Sequence, residues 1–248
     1  MDPIRVFIGT DDTQTVPTAV LKHSILTRTS APVAFHELHN LNTGLENEFY
    51  TGFSFYRWGI PLACDFEGQA IYIDADIVVL CDISELWQLP LNGHSHLVRP
   101  RPRFKLDRFR IKRVGGAYAS VMFIDCARAR HWDFRTWCER ATADKQFYRD
   151  TMWCMPGSET AKMRGDLPAV YNGLDYHEPN RTKIIHYTNL PNQPWKRPGH
   201  RYEYVFRRAL REAFLAGAVD LPMVKTDIEK GYIHEGMMTW VIEDPTSR

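Results

Sequence analysis

The most constraining feature of the chain is a repeated alternation of short apolar runs with segments of helical periodicity. Residues 4–9 are rich in β-branched and aromatic side chains, and residues 15–30 then carry apolar side chains at helical spacing. The alternation continues with predicted strands at 33–38, 70–73, 120–125 and 183–187 and predicted helices at 52–64, broken near Pro61, at 127–143 and at 201–216. Strands that alternate with helices predict an α/β fold with a mainly parallel sheet flanked by helices.

The length of the chain limits how many domains it can form. A chain of 248 residues fits one large domain, because single hydrophobic cores stop growing near roughly 250–300 residues. We expect one Rossmann-like domain over residues 1–217 and an extension over 218–248 that packs on it, since the last segment shows no clear period. The net charge of +1 gives no overall attraction to nucleic acid or to an anionic membrane.

Cysteine usage and hydropathy favour a cytoplasmic protein without a membrane anchor. The five cysteines are odd in number and none is spaced as Cys-x-x-Cys, so neither a disulfide framework nor a thiolate zinc site is indicated. A reducing compartment is the simpler interpretation. No stretch reaches the roughly 18 apolar residues of a membrane span, so we expect no transmembrane segment. A homodimer is compatible with the sequence.

Polar residues follow or end three of the predicted strands. They are Thr10, Asp11 and Asp12 after the first strand, Asp74 and Asp76 after the third, and His186 within the last. In an open parallel sheet, ligands bind in the crevice beyond the carboxyl ends of the strands. We therefore expect these residues to mark the functional site.

Asp74 and Asp76 form the pair with the clearest chemistry. They are two residues apart, which in extended backbone places both carboxylates on one face. The two charges would repel unless a cation lay between them, and Mg²⁺ or Mn²⁺ held by carboxylates usually completes its shell with phosphate oxygens and water. Taken alone, the pair leaves a metal site and turn-capping aspartates equally open. Asp82 with Glu85 fits the second pattern, as a cap on a short helix.

Longer motifs surround this pair and recur in order along the chain. They are residues 6–12 (VFIGTDD), 57–61 (RWGIP), 69–87 (QAIYIDADIVVLCDISELW) and 186–195 (HYTNLPNQPW). Together they resemble the motifs of the retaining glycosyltransferases of family 8, the group of glycogenin and the lipopolysaccharide galactosyltransferases, over about residues 4–195. The resemblance implies a GT-A fold, a nucleotide-diphosphate sugar as donor, most often a UDP-sugar, and Mn²⁺ or Mg²⁺.

Matching positions imply roles for individual residues. By this resemblance Asp74, Asp76 and His186 bind the metal, and the two aspartates are catalytic. A neutral imidazole suits the third position because it adds a ligand without further negative charge. The other donor-site residues that the resemblance implies are Gly9 and Asp11 at the nucleoside, Arg57 beside the donor, and Thr10, Ala75 and Asn189 within the same motifs.

Some positions depart from the family pattern. Asn189 stands where the family has glycine, and Gln193 replaces the lysine that meets the donor phosphates. We expect Lys196, or Arg197 beside it, to supply the missing cation. Residues 118–120 (YAS) lie where the family has Asn-x-Gly, which changes the contacts expected for the donor sugar.

Several further residues have both a functional and a structural interpretation. Asp125, Asp150 and Asp166 could each orient the acceptor hydroxyl or simply cap a turn, and we assign the catalytic role to Asp150. His94 and His96 could bind a metal, but a solvated turn is favoured. Trp132, Trp137 and Trp153 could stack on sugars, but helical spacing favours the core for the first two.

Residues 99–113 form a local charge anomaly. They include eight basic residues and one acid, Asp107, with four apolar side chains interleaved. We expect this segment to recognise an acidic or phosphorylated acceptor. The alternative is a solvent-exposed surface without a binding role. Nucleic acid remains a less favoured partner, since basic residues interleaved with aromatic ones suit single strands.

The predicted function is that of a metal-dependent retaining glycosyltransferase that moves a hexose from a UDP-sugar to an acceptor hydroxyl. One alternative is a sugar nucleotidyltransferase, which normally needs a glycine-rich phosphate loop that residues 9–12 do not form. Another is a catalytically degenerate binding module that lost activity with the lysine now replaced by Gln193.

Overall fold

A computed structural model describes residues 2–39, 53–102, 104–107, 110–113 and 115–242. The strands of this part are β1 (Ile4–Gly9), β2 (Val33–Leu38), β3 (Gln69–Asp74), β4 (Ile77–Val79), β5 (His96–Pro100), β6 (Phe104–Asp107), β7 (Arg110–Arg113), β8 (Ala117–Asp125), β9 (Arg164–Asp166), β10 (Gly173–Leu174) and β11 (Ile184–His186). The α-helices are α1 (Thr15–Leu26), α2 (Ile60–Ala63), α3 (Ser84–Trp87), α4 (Phe134–Ala143), α5 (Lys145–Met152), α6 (Glu203–Leu215), α7 (Leu221–Glu229) and α8 (Met237–Ile242).

The first of two compact units contains the large sheet. This unit is formed by Met1–Gly9, Val33–Asp74 and Leu86–Ala169. Its six strands lie in the order β2-β1-β3-β8-β5-β9. The pairs β1–β2, β1–β3 and β5–β9 are parallel, whereas both pairs made by β8 are antiparallel. The predicted α/β fold with a mainly parallel sheet is therefore confirmed.

The core of this unit lies on the strands at the middle of the sheet. β3 is an almost continuous apolar run, as expected of a strand that is covered on both faces. Trp58, Trp132 and Trp137 are buried in the cluster on one side of the sheet, which confirms the core role predicted for the last two. The register between β5 and β8 shifts between Val98 and Arg99, which is a β-bulge.

The second unit packs helices around a small sheet. It is formed by Thr10–Pro32, Ala75–Glu85 and Val170–Arg248. Its strands lie in the order β10-β11-β4, with β11 antiparallel to β4. Side chains of α1, α6, α7 and α8 share one apolar core, which includes Trp195 and Trp240. In the described part of the chain, no helix combines the length and the apolar composition needed to cross a bilayer.

Several predicted elements differ from the observed ones. The helix predicted at 52–64 is a 3-10 turn at Ser54–Gly59 followed by the short α2. The helix predicted at 127–143 begins only at Phe134, because Asp133 caps it there by accepting a hydrogen bond from the Thr136 amide. Residues 218–248, which showed no clear period, contain α7 and α8 within the second unit, and the predicted boundary at 217/218 stays a prediction.

Candidate active site

Asp74 lies at the end of β3, beside the end of β1. The parallel register pairs it with Gly9, and the Tyr72 hydroxyl, two residues earlier on the same face, donates a hydrogen bond to Asp74 Oδ1. A Cβ on Gly9 would lie 2.1 Å from the Tyr72 hydroxyl oxygen. Glycine at position 9 therefore leaves the space in which Tyr72 contacts Asp74.

Arg57 holds the same carboxylate from a buried position. Its Nη2 donates to Asp74 Oδ1 at 3.1 Å, its Nε donates to the Ser54 carbonyl at 2.7 Å, and its Nη1 donates to the Ala119 carbonyl. Burial by itself would lower the pKa of Arg57, but the Asp74 carboxylate, aided by Tyr72, raises that pKa above its ordinary value. The described contacts of Arg57 thus fix Asp74, and the role of Arg57 beside the donor stays a prediction.

Asp76 and His186 are brought together by the small sheet of the second unit. Asp76 precedes β4, and the antiparallel register places His186 opposite Ile77. Both side chains are buried, and His186 Nε2 lies 3.1 Å from Asp76 Oδ1. The other carboxylate oxygen, Oδ2, accepts a hydrogen bond from the Gln193 amide at 2.9 Å.

Asn172 orients the ring of His186. His186 Nδ1 lies 3.2 Å from Asn172 Oδ1. A carbonyl oxygen only accepts, so Nδ1 carries a proton, and Nε2 is the ring nitrogen that faces the Asp76 carboxylate. Asp76 Oδ1 is buried and, among the described residues, accepts no hydrogen bond.

This arrangement fits a divalent cation. One ligand atom from each of Asp74, Asp76 and His186 can be chosen so that all lie within 4.8 Å of one another. The 3.1 Å between Asp76 Oδ1 and His186 Nε2 is close to the separation of adjacent ligands around an octahedral ion with bonds of about 2.1 Å. Two carboxylates and an imidazole suit Mn²⁺ or Mg²⁺. Asp74, Asp76 and His186 could therefore bind a metal, as the sequence predicts.

The turn after β1 is ordered by Asp11. Its Oδ1 accepts hydrogen bonds from the Thr13 amide at 2.9 Å and from the Thr13 hydroxyl at 2.6 Å, and so caps the 3-10 turn Asp12–Gln14. Thr10 is buried, with its hydroxyl 2.7 Å from that of Thr18. The side chain of Thr10 thus serves packing, and its predicted contact with the donor could come only from its backbone.

A cavity of about 390 Å³ lies beside this turn within the second unit. It is lined by Thr13, Lys196, Gly231, Tyr232, Ile233 and His234. Lys196 is exposed, as is Asn189, which starts the 3-10 turn Leu190–Asn192. The turn after β1 and Lys196 thus border one cavity, and sequence reasoning did not predict that residues 231–234 line it.

The remaining site predictions have varied outcomes. Asp150 lies on α5, where its Oδ1 accepts a hydrogen bond from the Gln146 amide group at 2.7 Å, and its catalytic role stays a prediction. Ala75 is buried next to Asp74. Asp82 caps α3 through the Ser84 amide as predicted, whereas Glu85 makes an ion pair with Lys183 rather than completing the cap.

His96 is not in a solvated turn, so that prediction is wrong. It lies in β5 and is fully buried between Trp58 and Trp132, with ring centroids at 6.4 Å and 5.0 Å. Burial lowers the pKa of His96 to about 3, so the ring is neutral. Most of the basic segment 99–113 lies outside the residues whose side chains are described, and Arg99 and Arg101 are the basic side chains of it that are described.

Tyr72, Asn172 and Gln193 are the site residues that sequence reasoning missed or misassigned. Tyr72 could have been found, because it shares a face of β3 with Asp74 at a spacing of two. Asn172 lies 14 residues from His186 with no motif to mark it. For Gln193, the sequence alone indicates only the loss of the lysine that meets the donor phosphates.

The comparisons with known proteins agree with this geometry. Residues 11–123 match the sequence profile described as Glycosyl transferase family 8. Protein CDI of Arabidopsis thaliana is 24% identical over 214 residues, which cover 78% of this chain and 80% of that protein.

Solved structures show the same fold. The WbbM bifunctional glycosyltransferase aligns with a TM-score of 0.63 at 13% identity, over 84% of this chain and 49% of that one. The galactosyltransferase LgtC, solved with donor and acceptor sugar analogues, aligns with a TM-score of 0.58 at 15% identity, over 84% of this chain and 95% of that one. The chain thus spans about half the length of WbbM and nearly all of LgtC.

Fold and profile point to the same class of proteins as the one that this chain resembles. The fold is that of the GT-A glycosyltransferases, as predicted. The resemblance to glycosyltransferase family 8 is likewise confirmed, by the match over residues 11–123. These findings support a hexosyltransferase enzyme.

Proposed function

We propose that this chain transfers a hexose from a UDP-sugar to an acceptor hydroxyl with retention of configuration, using Mn²⁺ or Mg²⁺ held by Asp74, Asp76 and His186. The observation that carries the proposal is the buried Asp76 Oδ1, which accepts no hydrogen bond among the described residues and lies 3.1 Å from His186 Nε2. A buried carboxylate oxygen that accepts no hydrogen bond is costly unless a cation balances its charge, and a sugar nucleotide brings its diphosphate to such an ion.

The chain's own residues keep these ligands in place. A bound divalent cation would neutralise the charge that builds on the leaving diphosphate. Arg57 and Tyr72 orient Asp74 through hydrogen bonds to Oδ1, and Asn172 orients the His186 ring through Nδ1. Such outer partners fix the orientation of ligands before the substrate arrives. Gln193 supports Asp76 without adding charge.

The remaining roles follow the sequence motifs. In this proposal Asp11 contacts the base, Gly9, Thr10, Ala75 and Asn189 contribute to the donor site, and Lys196 takes the place of the family lysine at the diphosphate. Asp150 orients the acceptor hydroxyl, with the leaving phosphate helping to take its proton. The cytoplasmic location and a homodimer stay predictions.

Nucleotide binding tests the donor site. We would measure thermal shifts of the full chain with UDP, GDP, ADP and CDP, with and without Mn²⁺, for wild type, Asp76→Asn and Asp65→Asn. Asp65 is exposed, with a φ of 51° that asparagine also adopts, which makes it a matched control. A ligand at about 100 times its Kd stabilises the folded state by about 2.7 kcal/mol.

The proposal expects stabilisation by UDP that requires Mn²⁺, persists in Asp65→Asn and is lost in Asp76→Asn. Stabilisation by another diphosphate alone would overturn the choice of uridine. No metal-dependent shift with any of the four nucleotides would contradict the donor site and favour a degenerate binding module.

The phosphate cation is tested separately by comparing Lys196→Ala with Arg197→Ala. Lys196 lines the cavity beside Thr13, whereas its exposed neighbour Arg197 is not among the lining residues. Loss of a charge-assisted contact costs about 1.5–3 kcal/mol, so we expect the Kd for UDP to rise at least tenfold in Lys196→Ala and to change less than twofold in Arg197→Ala. Equal effects, or a larger effect in Arg197→Ala, would contradict this role of Lys196.

A further inference from the structure

Arg99, Arg101, Tyr118 and Trp153 form an arginine–aromatic cluster in the first unit. The guanidinium carbon of Arg101 lies 4.2 Å from the centroid of the Trp153 ring and 5.5 Å from that of Tyr118. The Arg99 guanidinium lies 5.9 Å from the Tyr118 ring. The two aromatic rings meet edge to face at 6.0 Å. Two positive charges and two rings thus share one site.

The chemistry of the cluster is that of a site for an anion attached to an apolar ring. Arg101 makes no ion pair with a carboxylate among the described residues, and its buried Nε has no hydrogen-bond partner there. Trp153 remains 38% exposed, which is unusual for a ring of this size. A planar guanidinium held against aromatic faces suits a carboxylate or phosphate, and an exposed indole suits the apolar face of a sugar.

Backbone hydrogen bonds fix the cluster in place. The Arg101 amide donates to the Gly116 carbonyl at 3.0 Å, and the Ala117 amide donates to the Trp153 carbonyl at 2.7 Å. Gly116 has a φ of 80°, and a Cβ there would lie 2.3 Å from the Trp153 carbonyl oxygen. These hydrogen bonds join the end of β5, the start of β8 and the residue after α5. The backbone positions from which the cluster side chains extend are therefore fixed.

The β-bulge links this cluster to Asp74 inside the same unit. The register shift after Val98 places Arg99 opposite Tyr118. The next residue of β8, Ala119, accepts a hydrogen bond through its carbonyl from Arg57, which also donates to Asp74. Ala119 and Arg57 thus connect the residue after Tyr118 to the aspartate. Bulges often direct side chains toward functional sites.

We propose that the cluster is the acceptor subsite and that it binds a sugar bearing an anionic group. Trp153 contacts the sugar ring, and Arg101 binds the carboxylate or phosphate. This inference rests on the proposed transferase function, and it assigns the preference for an acidic acceptor to described residues rather than to segment 99–113 as a whole.

Binding of acceptor analogues tests the inference without any turnover. The probes are p-nitrophenyl β-glucuronide against p-nitrophenyl β-glucoside, and glucose 6-phosphate against glucose, each titrated into the full chain by calorimetry. The variants are Arg101→Gln, Arg101→Lys and Trp153→Ala, with Arg135→Gln, an exposed arginine on α4, as the matched control. Thermal unfolding shows which variants are folded. If Arg101→Gln does not fold, Arg101→Lys provides the comparison.

We expect wild type and Arg135→Gln to bind at least one anionic probe at least tenfold more tightly than its neutral counterpart. Arg101→Gln should abolish this preference, and Arg101→Lys should reduce it, since lysine keeps the charge without the planar fork. Trp153→Ala should weaken both probes of a pair, and the anionic one at least as much, because the Arg101 guanidinium packs against the Trp153 ring. The pair that shows the preference distinguishes a carboxylate from a phosphate.

Equal binding of anionic and neutral probes by wild type, or an unchanged preference in folded Arg101→Gln and Arg101→Lys, would overturn the inference. Failure of the proposed function is visible separately. It would appear as absent metal-dependent nucleotide binding, which none of these probes measures.

Discussion

At the scale of the residue, the site depends on uncharged partners as much as on its carboxylates. Gln193 is 2% exposed, and its amide donates to Asp76 Oδ2 at 2.9 Å and to the Tyr187 carbonyl at 3.0 Å. The side-chain amide nitrogen of Gln193 is therefore used inside the protein. It supports Asp76, which the sequence could not reveal because only the folded chain brings positions 76 and 193 together.

Restoring the family residue tests this role. In Gln193→Lys a buried ammonium would lie against Asp76 and compete with the metal for that carboxylate. We expect the Kd for Mn²⁺, measured by calorimetry, to rise at least tenfold, whereas Gln193→Met, a neutral control of similar size, should change it less. Unchanged or tighter Mn²⁺ binding in Gln193→Lys would contradict the role given to Gln193.

At the scale of the element, the positions of strands and of their terminal polar residues were predictable, and several helices were not. Short apolar runs with abrupt polar endings mark β1 and β3, so Gly9 and Asp74 could be placed from the sequence. α5 was missed because it has only eight residues, and its start depends on Asp144, whose carboxylate accepts from the Gln146 and Phe147 amides. His96 was misassigned because its burial depends on Trp58 and Trp132, which are distant in sequence.

A long-range cap joins α7 to α1. Asp227 on α7 is 2% exposed, and its Oδ2 accepts a hydrogen bond from the Val16 amide at 3.2 Å, in the first turn of α1. The residue before α1, Gln14, makes no side-chain cap. Asp227 therefore satisfies one of the free amides of that helix end from 211 residues away. Through α1 it supports the turn that carries Asp11.

This cap predicts a pH-dependent stability. Burial raises the pKa of Asp227 above its ordinary value, an effect that the Val16 amide and then Lys230 reduce but do not cancel. A raised carboxyl pKa means that the folded state binds the proton more tightly. The stability contributed by this group is therefore fully present below the unfolded pKa, and it is lost as pH rises through the folded one.

We expect the free energy of unfolding of wild type, taken relative to Asp227→Asn, to fall as pH rises from 3.8 toward neutrality. Asparagine keeps an acceptor for the Val16 amide, so Asp227→Ala should be less stable than Asp227→Asn at pH 7 by about 1 kcal/mol. Urea unfolding over this pH range measures both. If the free energy of unfolding of wild type minus that of Asp227→Asn rises with pH, this account of Asp227 is contradicted.

At the scale of the whole molecule, each unit contains its own part of the motif residues. Asp74 with Arg57 belongs to the unit of the large sheet, and Asp76 with His186 belongs to the unit of the small one. The motif residues were predictable because the family pattern fixes their order. Their supporting partners Asn172 and Gln193, and the cavity wall at residues 231–234, were not, because they depend on tertiary packing alone.

The most direct test of the central claim is the configuration of the sugar first released from a UDP-hexose when water takes the place of the acceptor hydroxyl. Wild type and Asp76→Asn would be incubated with UDP-glucose and with UDP-galactose, with Mn²⁺ or with a chelator, and followed by proton NMR faster than the anomers interconvert. The account predicts that wild type with Mn²⁺ releases the α-anomer first, and that the chelator or Asp76→Asn abolishes release. First release of the β-anomer, release without metal, or no release from either donor would contradict it.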